Sequence, residues 1–261
     1  MLASVFTKSA RDALLWTVAA MAVLLVMAGV AMPMYAEFGE GYLGLMEEMP
    51  QWLRVVYGES MGSVAGLVGM AMFTLVSPLV LLVYAIAMGT GAAVGEEEDG
   101  TLALLLANPI SRGRVLLAKA AVVFIGILVI VLAVWLGIGA VAGLVGIDMG
   151  GQDTFAASVH LAALALLFGA LALAVSAWTG SSALGLGVAG ITAVLSYVVR
   201  TWLPIVEDLA DLARFSPWHL YAGADALQRG IDPLLLAIAL AAAAALFGAS
   251  FVGLRRRDLR V

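Results

Sequence analysis

The chain has 261 residues, of which 64% are apolar and only 12% are charged, and its mean hydropathy is +1.09. Soluble domains carry about 25% charged residues, so this composition excludes an ordinary soluble protein and indicates a polytopic membrane protein. The sequence has no cysteine, which excludes a disulfide framework, thiol chemistry and a cysteine zinc site.

Six apolar stretches in chain order predict an all-α protein with six transmembrane helices in one domain, residues 1–261. A spanning helix needs about 20 predominantly apolar residues. The stretches that reach this length are about 13–32, 64–88, 120–145, 155–178, 183–203 and 234–254. Pro78 lies inside the second stretch, where neighbouring helices must satisfy the backbone groups that it frees.

The first stretch is preceded by residues 1–12, which predict a short amphipathic helix at the membrane interface. Lys8 and Arg11 would also suit a signal peptide. Cleavable apolar regions run only about 7–15 residues, so the longer stretch here favours a retained anchor.

Basic residues are distributed unequally between the two sides that six spans define. One side holds nine: Lys8, Arg11, Arg112, Arg114, Lys119, Arg255, Arg256, Arg257 and Arg260. The other side holds four: Arg54, Arg200, Arg214 and Arg229. The positive-inside rule places both termini in the cytoplasm of a bacterial plasma membrane. Short external or re-entrant helices are predicted at 45–57 and, before span six, at 206–229, where aromatic residues suit the headgroup level.

A charged and leucine-rich segment, residues 95–119, interrupts the apolar pattern between spans two and three. Four consecutive acids, Glu96 to Asp99, are predicted just before and in the first turn of a short helix, where the positive dipole end favours anions. Leu102, Leu105 and Leu106 then form one apolar stripe. Such a helix can lie on lipid headgroups or dock into a groove on a partner protein.

This segment resembles the loop between spans two and three of ABC-2 type transporter permeases. The matching residues are Glu96 to Leu102, Leu104 to Leu106, Asn108-Pro109, Ser111-Arg112 and Lys119. Residues 49–54, 215–218 and 256–259 also resemble family stretches, so the likeness covers nearly the whole chain. One departure is the turn Gly180 to Ser182, where relatives often have basic residues.

The resemblance implies a transporter subunit without its own motor, and the chain has no phosphate-binding loop of the G-x-x-x-x-G-K-[ST] type. Two permease copies would work with two cytoplasmic ATPase subunits, which would bind ATP and Mg²⁺. The chain itself would bind no cofactor or nucleic acid, and its other partner would be membrane lipid. Residues 95–108 would form a coupling helix. The implied coupling residues are Glu96, Glu97, Glu98, Thr101, Leu102, Leu105, Leu106 and Arg112.

Polar residues in spans two and five predict a transport pathway, because related permeases place these spans along the dimer axis. The candidates are Thr74, Ser77, Thr192, Ser196, Tyr197 and Arg200. Hydrogen bonding between helices explains the hydroxyl residues equally well, and Arg200 is also placed to snorkel outward. Gly139 and Gly143 match the small-xxx-small pattern of close helix packing.

Two other function classes compete with an ATP-driven permease. A secondary carrier or channel is disfavoured because no acid falls within a predicted span, and a non-transporting scaffold would lack cargo. The only histidines are His160, predicted at the interface, and His219. The resemblance implies an exporter, and an apolar, weakly polar interior suits a lipid-like or amphiphilic substrate, although the family also serves polysaccharide export and metalloenzyme maturation.

Overall fold

The computed structural model describes residues 2–47, 63–100, 111–150, 153–222 and 226–257. Regular structure in these ranges is helical throughout, which confirms the all-α class. The long helices are α1 (Leu2–Glu47), α2 (Val64–Glu98), α3 (Arg112–Val145), α4 (Thr154–Thr179) and α5 (Ser182–Trp202). The remaining α-helices are α6 (His219–Ala222), α7 (Ala226–Arg229) and α8 (Pro233–Arg256). Helices α1 to α5 and α8 are long and apolar enough to cross a membrane, so six spans are confirmed.

Helix α1 corrects one prediction about the N-terminal end. It is a single helix of 46 residues, so residues 2–12 are continuous with the first span and do not form a separate helix. At 1.5 Å per residue α1 is about 69 Å long, roughly twice the thickness of a hydrocarbon core. Polar residues at both ends therefore extend the helix beyond the apolar layer. They can do so because an α-helix pairs its own backbone N–H and C=O groups along its length.

Helix α4 forms the centre of the bundle. In its most apolar stretch 78% of the residues are buried, against 17% for α8 and 22% for α1 and α5. Its side chains pack against α2, α5 and α8. The outer helices α1, α5 and α8 therefore present most of their apolar surface to the surroundings of the subunit.

The crossing of α2 and α4 depends on two glycines. A Cβ atom built on Gly89 would lie 2.4 Å from the carbonyl oxygen of Gly169, and one built on Gly169 would lie 3.3 Å from the carbonyl oxygen of Ala85. The predicted pair Gly139 and Gly143 is different, because a Cβ on either meets no atom within 4 Å. Close packing within the described chain therefore uses Gly89 and Gly169 instead.

Replacing Gly89 with alanine is expected to destabilise the protein by about 1–3 kcal/mol, because a fixed backbone oxygen stands where the methyl group would go. Gly91→Ala is the matched control, since nothing lies within 4 Å of that position in the same helix. Thermal unfolding of the purified variants in detergent measures the difference. Equal unfolding temperatures for the two variants would contradict the proposed close crossing.

The two ends of the bundle hold different parts of the chain. One end is called the terminal face, and it holds the ion pairs of Glu96 with Lys8 and Lys119 and of Glu97 with Arg257. The opposite end is called the far face, and it holds residues 146–150 and 153 between α3 and α4, together with residues 203–222 and 226–232. Its two parts meet where the Asp153 amide donates to the Leu227 carbonyl at 2.7 Å. Both chain ends thus approach one face, as six spans require.

Short helices before span six are present on the far face. They are the 3₁₀ turns Leu203–Ile205 and Glu207–Phe215, followed by α6 and α7. The other predicted external helix, at 45–57, overlaps α1 as far as Glu47, and its remainder lies outside the described residues.

Candidate functional site

The acidic run occupies the end of α2. Glu96, Glu97 and Glu98 form the last turn of this helix, and Asp99 is its C-cap. These acids therefore end α2 and do not lie in the first turn of the next helix; the predicted helix that follows them lies outside the described residues. A helix C-terminus carries negative dipole charge, so three carboxylates there are unfavourable unless cations or N–H donors compensate them.

Glu96 is compensated by two lysines from different helices. Its carboxylate lies 3.3 Å from the Lys119 ammonium of α3 and 3.7 Å from the Lys8 ammonium of α1. The Glu96 and Lys119 side chains are only 12% and 13% exposed, whereas Lys8 is 58% exposed. The Lys119 pair is therefore the less screened of the two, and α1 contributes a weaker, solvated contact.

Glu97 is compensated by Arg257, directly after α8. The guanidinium donates to the Glu97 carboxylate, and the two side chains are 15% and 9% exposed. Arg257 also fills the space beside Gly180, whose φ is +68° at the end of α4. A side chain at position 180 would meet both an unfavourable backbone conformation and the guanidinium group.

Glu98 accepts a hydrogen bond from the Ser182 amide at 3.0 Å, at the start of α5. The Ser181 hydroxyl caps the same helix by accepting from the Leu184 amide at 3.3 Å. The positive dipole end of α5 therefore faces a carboxylate, which is the favourable arrangement. This contact joins the end of α2 to the turn between α4 and α5.

A second contact fixes the end of α8 against α4. The Trp178 indole N–H donates to the Ala249 carbonyl at 2.9 Å, and the Arg256 guanidinium lies 5.9 Å from the Trp178 ring centroid. Gly253 leaves room for the indole, because a Cβ there would lie 2.5 Å from it. Arg257 is thereby held in position for Glu97.

We call Glu96, Glu97 and Glu98 with their partners Lys8, Lys119, Ser182 and Arg257 the terminal cluster. It joins the end of α2 to α1, α3, the α4–α5 turn and the end of α8. Sequence reasoning did not identify the three basic partners as site residues, although it used them for the charge distribution and for the family resemblance. Glu97 and Arg257 are 160 residues apart, and no local pattern connects them.

The predicted coupling residues fall into three groups in the structure. Glu96, Glu97 and Glu98 belong to the terminal cluster. Arg112 is the exposed first residue of α3. Thr101, Leu102, Leu105 and Leu106 lie outside the described residues, which stop at Gly100 and resume at Ser111. The cluster therefore lies directly before the segment that carries the leucine stripe.

The predicted pathway residues do not share one surface. Ser77 and Ser196 are buried in the subunit, whereas Thr74 is exposed. Thr192 is half-buried and its hydroxyl donates to the Val188 carbonyl at 2.7 Å. Tyr197 packs edge-on against Trp218, with ring centroids 5.0 Å apart.

Two further residues noted in the sequence, His160 and Arg200, lie towards the far face. His160 is fully buried in the subunit, and its Nε2 accepts from the Asp232 amide at 3.1 Å. Arg200 is half-buried near His219. Burial lowers the pKa of His219, and the positive charges of Arg200 and Arg214 lower it further.

A family model described as ABC-2 family transporter protein matches residues 5–259. This range takes in all six spans and the terminal cluster. No curated protein matches the chain.

Proposed function

Since the chain belongs to the ABC-2 family of transporters, a family of transport membrane components, we propose that it is the permease subunit of an ATP-driven exporter. ATP hydrolysis is assigned to a separate cytoplasmic ATPase subunit. The proposed assembly holds two permease copies and two ATPase copies. ATP and Mg²⁺ belong to the ATPase in this proposal.

The terminal cluster carries the proposal that force enters at residues 95–108. Glu96 to Glu98 lie at the start of this segment and are bonded to four other parts of the bundle. A movement of residues 95–108 would be transmitted to α1, α3, α5 and α8 through these contacts. The acids therefore act inside the permease, and the leucine stripe that follows them is the surface proposed to meet the ATPase.

The terminal face also supports an orientation of the chain in the membrane. This face holds Lys8, Lys119 and Arg257, together with the exposed Arg112. Basic residues remain preferentially on the cytoplasmic side. We therefore assign the terminal face to the cytoplasm and the far face to the outside of a bacterial plasma membrane.

The exposed apolar faces of α1, α5 and α8 support contact with lipid and with a second permease copy. Leu186, Ile191 and Val194 of α5 are 45%, 62% and 62% exposed in the single subunit. A cargo pathway between two copies would run along α2 and α5, where Thr74 is exposed and Thr192 is half-buried. Apolar surface with few hydroxyls suits a lipid-like or amphiphilic cargo.

Purification of the tagged chain from its native membranes tests the proposal. An ATP-binding protein with a phosphate-binding loop is expected to co-purify in equal amount, and the complex is expected to hydrolyse ATP. Transport by the reconstituted chain alone, with an ion gradient and no ATP, would instead support a secondary carrier. If the rate of ATP hydrolysis by the complex in vesicles does not change when amphiphiles are added, the result would support a non-transporting scaffold.

A further inference from the structure

Helix α2 contains a wider turn at one place. Residues Ala71–Val76 form a π-helical turn between two α-helical parts, and Pro78 follows it. In this turn the Ser77 amide donates to the Met72 carbonyl, five residues back. Such turns are rare and are frequently found at functional positions.

The π-helical turn and Pro78 together leave the Phe73 carbonyl without a donor from its own helix. In an α-helix its donor would be the amide of Ser77, but that amide already donates to Met72. In a π-helix its donor would be residue 78, and proline has no N–H group. Phe73 is buried, so an unpaired carbonyl there would be costly.

Tyr221 of α6 supplies the missing donor. Its hydroxyl donates to the Phe73 carbonyl, and the residue is buried. Tyr221 is 148 positions from Phe73 in sequence. It lies on residues 203–222, which we call the far-face segment. A residue outside the six spans thus satisfies the backbone of a span.

The far-face segment is also bonded to α5. The Ser216 hydroxyl donates to the Ser196 carbonyl at 2.6 Å, and Trp218 packs edge-on against both Tyr197 and Tyr221. Helix α5 contains no proline, so the Ser196 carbonyl does not depend on Ser216 in the way that Phe73 depends on Tyr221.

We infer that Tyr221 is a positioning residue that holds the π-helical turn of α2 and joins the far-face segment to that helix. Withdrawal of the segment leaves two outcomes for the Phe73 carbonyl. It is buried unpaired, or the turn returns to α-helical register and the Ser77 amide moves from Met72 to Phe73. The position of the segment and the shape of α2 therefore change together. The inference concerns this one hydrogen bond and goes beyond the proposed export function. It would still hold if the proposed export function were wrong.

The test uses Tyr221→Phe, which keeps the ring and removes the hydroxyl. This variant is expected to unfold about 3–6 °C below the parent protein in detergent. Adding Pro78→Ala restores an N–H group at the π-helical donor position, so the double variant is expected to recover most of that loss. Ser216→Ala is the matched control, because Pro78→Ala supplies nothing to the Ser196 carbonyl and should not rescue it.

A distance measurement separates positioning from general stability. The natural sequence lacks cysteine, so spin labels can be attached at Leu79→Cys and Phe215→Cys, positions that are 59% and 85% exposed. Labelled protein is diluted into unlabelled protein so that distances within one subunit dominate. The distribution is expected to be narrow in the parent protein, broad with Tyr221→Phe and narrow again when Pro78→Ala is added.

Three results would overturn the inference. The first is a Tyr221→Phe variant that matches the parent protein in both unfolding temperature and distance distribution. The second is equal rescue of Tyr221→Phe and Ser216→Ala by Pro78→Ala. If Tyr221→Phe does not fold, recovery of folding in the double variant becomes the measurement, and its failure is the third.

Discussion

Glu97→Arg is expected to be among the most damaging single substitutions at the terminal face. It replaces a carboxylate that is 9% exposed with a cation facing the Arg257 guanidinium. Removing one partner of a buried ion pair costs about 3–5 kcal/mol, because the remaining charge is left uncompensated. The unfolding temperature in detergent is therefore expected to fall sharply, and ATP hydrolysis by the proposed complex is expected to lose its response to cargo.

The reciprocal exchange distinguishes a specific pair from a general need for charge. Glu97→Arg combined with Arg257→Glu restores opposite charges at the same two positions, so much of the lost stability is expected to return. Asp99→Arg is the matched control, since it makes the same charge change at an exposed residue two positions along. An exchange variant as unstable as Glu97→Arg alone, or an equal loss with Asp99→Arg, would contradict the role of this pair.

The second large effect is expected at the leucine stripe. Leu102→Asp with Leu105→Asp should prevent the proposed ATPase subunit from assembling with this chain while leaving the six spans inserted. Burying one leucine contributes about 1.5–3 kcal/mol, and a carboxylate buried without a partner adds a further cost. Two such losses exceed what a short docking helix can tolerate.

Co-purification and ATP hydrolysis of the complex measure this effect. Leu104→Asp is the control, because helical spacing places residue 104 away from the stripe of 102, 105 and 106. The variant permease must also appear in the membrane fraction at the parental level. Normal assembly of the double variant, or equal loss with Leu104→Asp, would remove the coupling helix from the proposal.

The six spans were predictable because hydropathy over about 20 residues depends only on local composition. The ends of the helices were less predictable from the sequence. α1 continues to Glu47, since a polar sequence can extend a helix whose middle is apolar. Pro78 was visible in the sequence, but the π-helical turn before it and its partner Tyr221 depend on a contact 148 residues away.

The acidic run shows why the candidate site was only partly predictable. The local rule that acids favour a helix N-terminus placed them in the wrong helix. At the observed C-terminus, contacts from Lys119, Arg257 and the Ser182 amide offset the unfavourable dipole. Each partner comes from a different part of the chain, so only the folded bundle reveals them. The leucine stripe lies outside the described residues and stays a prediction.

The contact between Arg257 and Gly180 has a consequence for sequence comparison within the family. The guanidinium occupies the volume that a side chain at position 180 would fill, so the α4–α5 turn receives its positive charge from the tail. We therefore expect a relative with a side chain at position 180 to hold its tail arginine elsewhere, so that the two positions covary. In this chain the turn from Gly180 to Ser182 has no basic residue of its own, and the Arg257 guanidinium places a positive charge beside it.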